Sequence, residues 1–183
     1  MTRALEFTIL TAARSGEVLG ASWAEIDLGS AAWTVPATRM KAGREHRVPL
    51  SRPAVDLLLR LDAARDAERA SPADPVFASN KSGKPLSGMA MAMLMRRMGA
   101  AVTVHGFRSA FRDWASETTG FPHEVCEMAL AHTIANKAEA AYRRGDLFNK
   151  RAELMDAWAR YRDADGNQPS DGGADDEIAK PLD

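Results

Sequence analysis

His105 and Arg108 stand three residues apart in the segment VHGFRSAFRDW, so a helix there puts an imidazole and a guanidinium on one face, where both can meet the same anion. Taken alone, the pair is equally a capping histidine beside a surface arginine. Four other segments hold reactive side chains whose plain readings are as bland. TAARSGE carries Arg14, by default a surface ion-pair partner, and MKAGREHRVPL carries Lys41, by default a solvated lysine. LAH ends at His132, and AAYRRGD carries Tyr142, by default an aromatic at the edge of a core. Metal chemistry has little to work with. The stretch HEVCE at 123 to 127 lacks the second histidine that a zinc peptidase helix needs, and no cluster of carboxylates assembles from the sequence. Neither a metal nor a cofactor is expected.

In their order and spacing the five segments resemble the tyrosine recombinase pattern: an arginine, a hairpin lysine, H-x-x-R, L-x-H, then a nucleophilic tyrosine about ten residues on. The likeness is to integrases of prophages and genomic islands, and it covers residues 1 to 162. It implies an active site of Arg14, Lys41, His105, Arg108, His132 and Tyr142, with Glu17 as the acidic residue that supports the first arginine. The substrate is then double-stranded DNA at an attachment site, exchanged by several recombinase subunits, with a tetramer as the expected assembly. No membrane and no small-molecule substrate enter. Type IB topoisomerases share this plan and act as monomers, and a remnant that binds DNA without cutting it is a third reading. The MKAGREHRVPL and LAHT segments favour the integrase side. Full-length members carry an N-terminal core-binding domain, and many an arm-binding domain. Neither fits before Arg14, so the chain is expected to be a fragment lacking both.

The chemistry suits these residue types. Attack of a phenolate on a phosphodiester passes through a five-coordinate phosphorus with added negative charge, and preorganised cations must meet its non-bridging oxygens. Two guanidiniums, always charged and fork-shaped, can do this without a metal ion. A phenol with an ordinary pKa near 10 also needs help losing its proton, and the departing 5'-hydroxyl needs one supplied. By the resemblance, His105 assists Tyr142, Lys41 is the general acid and His132 donates a hydrogen bond to the phosphate. The sequence alone does not separate the two histidines. Arg39, Arg44, Arg112, Arg143 and Arg144 are candidates for backbone phosphates, as are Arg47, Arg96 and Arg97, with a solvated role equally open for each.

Elements that would position these groups follow from pattern. Leu5, Ile9 and Leu10 space a helix over 2 to 13, and a second is predicted from Ser15 to Trp23. Trp33 and Val35 read as one strand and residues 44 to 49 as its partner, with Ala42 and Gly43 at the turn and Lys41 near the tip. Ser51 is the predicted N-cap of a helix that runs to Ser71-Pro72, and Ser87 that of a methionine-rich helix which Gly99 stops. The methionines read as core filler. Further helices are predicted over 105 to 118, 122 to 131, 136 to 144 and 147 to 161, the last with Leu147, Leu154, Trp158 and Tyr161 on one face. That last helix packs on its own core or, by the resemblance, docks on a neighbouring subunit. The fold class is therefore mainly α with one small antiparallel sheet, and the resemblance adds the tyrosine recombinase catalytic-domain fold.

Size and charge agree with a DNA enzyme once they are read by region. A chain of 183 residues that is 45% hydrophobic supports one domain with a real core. Its net charge of -1 argues at first against a polyanionic partner. Yet residues 163 to 183 hold seven acidic groups and one lysine, which leaves 23 basic against 18 acidic groups over residues 1 to 162. The body is mildly basic, and the Gly- and Asp-rich tail is expected to be disordered. One cysteine, Cys126, excludes an internal disulfide, and no apolar run resembles a signal peptide or a membrane span, so a cytoplasmic location is expected.

Overall fold

The computed structural model describes residues 1–79, 83–132 and 145–165. Helix α1 (Thr2–Thr11) turns Ala4, Leu5, Phe7, Thr8, Leu10 and Thr11 inward. Its two buried hydroxyls are satisfied within the helix, Thr8 donating to the Ala4 carbonyl at 2.8 Å and Thr11 to that of Phe7 at 2.7 Å. Ala12 then adopts a left-handed conformation (φ 48) and breaks the helix, and α2 (Ser15–Leu19) follows.

The predicted hairpin is present as β2 (Ala32–Val35) and β3 (His46–Pro49), antiparallel with Trp33 opposite Val48 and Val35 opposite His46. Alternation puts Trp33 and Val35, both fully buried, on the core face. Phe7 packs between Trp33 and Phe77 at tilted angles, with ring centroids 5.4 Å away in each pair. A third strand, β1 (Ile26–Asp27), pairs with β2 on the other edge, so the sheet has the order β1-β2-β3. Two residues are too few to show a period in sequence, which is why two strands were predicted. Residues 44 and 45 belong to the connecting loop, where Gly43 takes a positive φ of 62 and donates to the Met40 carbonyl.

Helix α3 (Arg52–Ala63) stops well before the predicted Ser71. Arg65 lies over the Trp23 ring at 4.8 Å, donates to the Ser71 carbonyl at 2.8 Å and pairs with Asp62, so the chain turns back on itself there. Ser51 does hold the N-cap position, but its buried hydroxyl caps nothing. In α4 (Ala90–Arg97) the N-cap is Met89 and not the predicted Ser87. Its methionines divide by face. Met91 and Met95 are core residues, whereas Met89, Met93 and Met98 are exposed, so core filler describes only two of these five.

Helices α5 (Gly106–Thr118), α6 (His123–Ala129) and α7 (Phe148–Asp165) complete the described fold. They share a second core of Phe111, Trp114, Val125, Cys126, Leu130, Leu154, Met155 and Trp158, closed against Ala12 at the end of α1. Trp158 also donates its indole N–H to the Ile9 carbonyl at 2.8 Å, so α7 packs on its own domain. It continues through residue 165, past the boundary set at 162, and the predicted helix over 136 to 144 and most of the acidic tail lie outside the described residues. The architecture is mainly helical with one small antiparallel sheet, as the pattern predicts. Among the described residues, no helix is long and apolar enough to cross a membrane.

Candidate active site

The turn between α1 and α2 presents Arg14. Its extended backbone at the N-cap of α2 leaves its N–H free of the helix ladder, and Glu17, three residues on, reaches back to take it. One carboxylate oxygen of Glu17 accepts from the Arg14 backbone N–H at 3.0 Å and the other from the Arg14 guanidinium at 2.7 Å. Glu17 is 6% exposed, so it holds the arginine from beneath while Arg14 stays half-exposed. Arg39 braces the same turn. Its guanidinium donates to the Glu17 carbonyl at 2.8 Å and pairs with Glu25, which also accepts from the Trp33 indole. A Cβ at Gly20 would lie 2.7 Å from Nη1 of Arg39, so a larger residue there would push this guanidinium from its place.

Arg108 enters from the first turn of α5 and is 6% exposed. One end of its fork donates to the Ala12 carbonyl and the other to the Leu130 carbonyl at 2.7 Å, which ties α1 to the end of α6. Burial, then the nearby Arg14, lowers its pKa to about 10 against the opposing pull of Glu17. It remains a cation at neutral pH. Arg14, Glu17, Arg39, Lys41, His105 and Arg108 all line one cleft of about 500 Å³ at the seam between the two cores. Lys41 and His105 are exposed, one beside the hairpin tip and the other at the N-cap of α5. The cleft gathers four cationic side chains and an imidazole around one internal carboxylate, a surface suited to an anion with several oxygens.

His132 follows Leu130 by two residues and is not among the residues lining the cleft. Its ring Nδ1 lies 2.8 Å from a Glu127 oxygen, and the other oxygen of that carboxylate accepts from Arg112 Nε at 2.8 Å. The guanidiniums of Arg39 and Arg112, candidates for phosphate contact, are thus both engaged with carboxylates of the protein. Arg44 is exposed in the hairpin loop. Tyr142, Arg143 and Arg144 lie outside the described residues.

Three residues that position this site escaped the sequence reading. Arg151 in α7 is 1% exposed and binds the Asp146 carbonyl at 2.7 Å, the Asp146 carboxylate at 2.9 Å and the Arg47 carbonyl at 2.5 Å, fastening β3 to the last helix. His46 in β3 has its pKa lowered from 6.5 to about 4 by burial and by Arg151, while Glu17 and a bond to the Ala129 backbone oppose the shift. Glu127 stands in the sequence only where a zinc peptidase helix would need its second histidine. Their decisive partners lie across elements, as with Arg151 and the Arg47 carbonyl or Glu127 and Arg112, and the five-residue reaches of Arg151 to Asp146 and of Glu127 to His132 follow no recognised spacing.

Comparison with known proteins bears on this geometry. The sequence profile of the phage integrase family matches residues 2–146. Prophage integrase IntA of Escherichia coli K12 is 34% identical over 154 residues, covering 82% of this chain and 36% of the relative. The integrase of Enterobacteria phage P4 is 32% identical over 187 residues, covering 92% of this chain and 42% of that protein. The chain thus spans well under half the length of these curated relatives. In structure it resembles the integrase from mycobacterium phage Brujita, with a TM-score of 0.60 at 18% identity over 85% of this chain and 50% of that one, a likeness of fold. With a family profile spanning the segments from Arg14 through Tyr142 and a matching recombinase fold beneath them, this chain belongs to the phage integrase family of tyrosine recombinases.

Proposed function

We propose that residues 1 to 162 form the catalytic domain of a site-specific DNA recombinase acting in the cytoplasm, with duplex DNA and other recombinase subunits as partners. The phenolic oxygen of Tyr142 attacks a phosphodiester, the P–O5' bond breaks, and a 3'-phosphotyrosine and a free 5'-hydroxyl result. A 5'-hydroxyl from a second strand then displaces the tyrosine, so the joining step conserves the bond energy and needs no nucleotide cofactor. Arg14 and Arg108 meet the non-bridging oxygens, Lys41 protonates the leaving 5' oxygen, His105 assists loss of the phenol proton and His132 donates to the phosphate.

The observation that carries this reading is the convergence of Arg14, Lys41, His105 and Arg108 on one cleft from three separate segments. The test is covalent trapping. Incubated with a pool of nicked duplexes of randomised core sequence, the protein is expected to give an adduct that survives denaturing detergent, and Tyr142→Phe none. An adduct that persists in the variant removes Tyr142 from the mechanism, and none from the natural protein rejects strand cleavage.

A further inference from the structure

We propose that Glu127 is a positioning residue for His132, accepting the hydrogen on Nδ1 so that Nε2 faces the DNA phosphate and, taking up a second hydrogen when a phosphate oxygen is there to accept it, donates from the doubly protonated ring. The inference rests on the recombinase reading for the identity of the anion, though its structural half does not. A carboxylate can only accept, and an oxygen of Glu127 lies 2.8 Å from His132 Nδ1, so that nitrogen carries the hydrogen. The backbone repeats the link, because the His132 N–H donates to the Glu127 carbonyl at 3.0 Å. Both ends of the residue are thereby set by one side chain and its own main chain.

Glu127 is itself held still. Arg112 Nε donates to its other oxygen at 2.8 Å, and His123 Nε2 lies 3.7 Å from that same oxygen. The carboxylate is largely buried, at 16% exposure. Burial raises its pKa, but the bonds from Arg112 and His132 outweigh this and hold it below the usual carboxylate value, so it is ionised at neutral pH. Arg108 fixes the intervening backbone through the Leu130 carbonyl. The line Arg112, Glu127, His132 therefore has a carboxylate orienting a histidine, the same logic by which outer carboxylates orient metal-bound or catalytic histidines. His105 has no such partner among the residues lining its cleft, so the two histidines are set differently, and the ring at 132 is the one whose tautomer the protein imposes.

The test reads the tautomer directly and activity separately. In histidine-labelled protein at pH 9, long-range nitrogen–proton spectra are expected to show His132 protonated on Nδ1, its signals identified by their loss in His132→Gln. Glu127→Ala is expected to move that ring to the Nε2–H form that water prefers, whereas Glu127→Gln, whose amide oxygen still accepts, keeps Nδ1–H. An Nε2–H ring in the natural protein overturns the proposal. So does an unchanged tautomer in a folded Glu127→Ala. In the trapping assay Glu127→Ala is expected to slow adduct formation by about tenfold, with Glu127→Gln closer to the natural rate. A correct tautomer with equal rates for all three proteins would reject the positioning role. Absence of any adduct from the natural protein would reject the recombinase reading and leave the spectra to judge the tautomer.

Discussion

Taking a guanidinium out of water costs several kcal/mol unless its donors are met, and Arg108 meets them with the carbonyls of Ala12 and Leu130. The same group faces the cleft, so one side chain both ties two helices together and supplies positive charge. Arg108→Ala should therefore fail twice. We expect a stability loss of about 2 kcal/mol in urea unfolding, from two buried carbonyls left without donors. Adduct formation should fall by roughly two to three orders of magnitude. Arg108→Lys separates the two effects, since it keeps the charge but cannot span both carbonyls. Near-natural cleavage by the lysine variant would show that charge alone suffices and that the fork is dispensable. The order of segments made Arg14, Lys41, His105 and Arg108 legible in the sequence. The supports were not. Arg39 reads as one more surface arginine until folding brings Glu17 and Glu25 to it, and Arg112 until α6 places Glu127 opposite.

At the scale of elements, the hairpin bearing Lys41 has no long partner to stiffen it, and what fastens its second strand is Arg151. Three bonds from that buried side chain join the Arg47 backbone in β3 to Asp146 before α7. Arg151→Met keeps most of the volume and removes every bond. The Arg47 carbonyl then loses its donor, and Asp146, being partly exposed, falls back on solvent, so we expect destabilisation of about 2 kcal/mol, read as a lower urea midpoint at unchanged slope. A midpoint within error of the natural protein would refute the anchoring role. Elements with a clear period, such as β2 and the amphipathic α5, were visible in sequence. The early end of α3 was not, because its helix-favouring residues continue past Ala63 and only tertiary bonds from Arg65 turn the chain. The methionine stripe misled for a related reason: an unbranched apolar side chain is tolerated on either face of α4.

For the whole molecule, the decisive place is the seam where sheet, α6 and α7 meet, and His46 sits in it. Glu17, Arg108, Arg151 and the Ala129 backbone surround its ring, and burial first, then Arg151, lowers its pKa from 6.5 to about 4. Because the folded value lies below the unfolded one, the unfolded chain binds more protons between these limits, and stability falls as pH drops through that window. The full effect of this one group is at most roughly 3 kcal/mol. Urea midpoints should be flat above about pH 7 and decline toward pH 4. In His46→Asn the slope should shrink, and an identical decline in that variant would assign it to other groups. None of this follows from HRVPL read as a strand, since alternation says which face a residue takes and not which charges await it there.

The bond from the Trp158 indole to the Ile9 carbonyl clasps the last described helix to the first. With Leu154, Met155 and Trp158 all enclosed by the same chain, the large apolar side chains of that helix are spent on its own core, the exposed Tyr161 excepted. A neighbouring subunit could receive it only by prising open its owner's second core. Lifting that helix away would uncover Ala12, which closes the same core, and Ala12 is the residue whose carbonyl holds one end of the Arg108 fork.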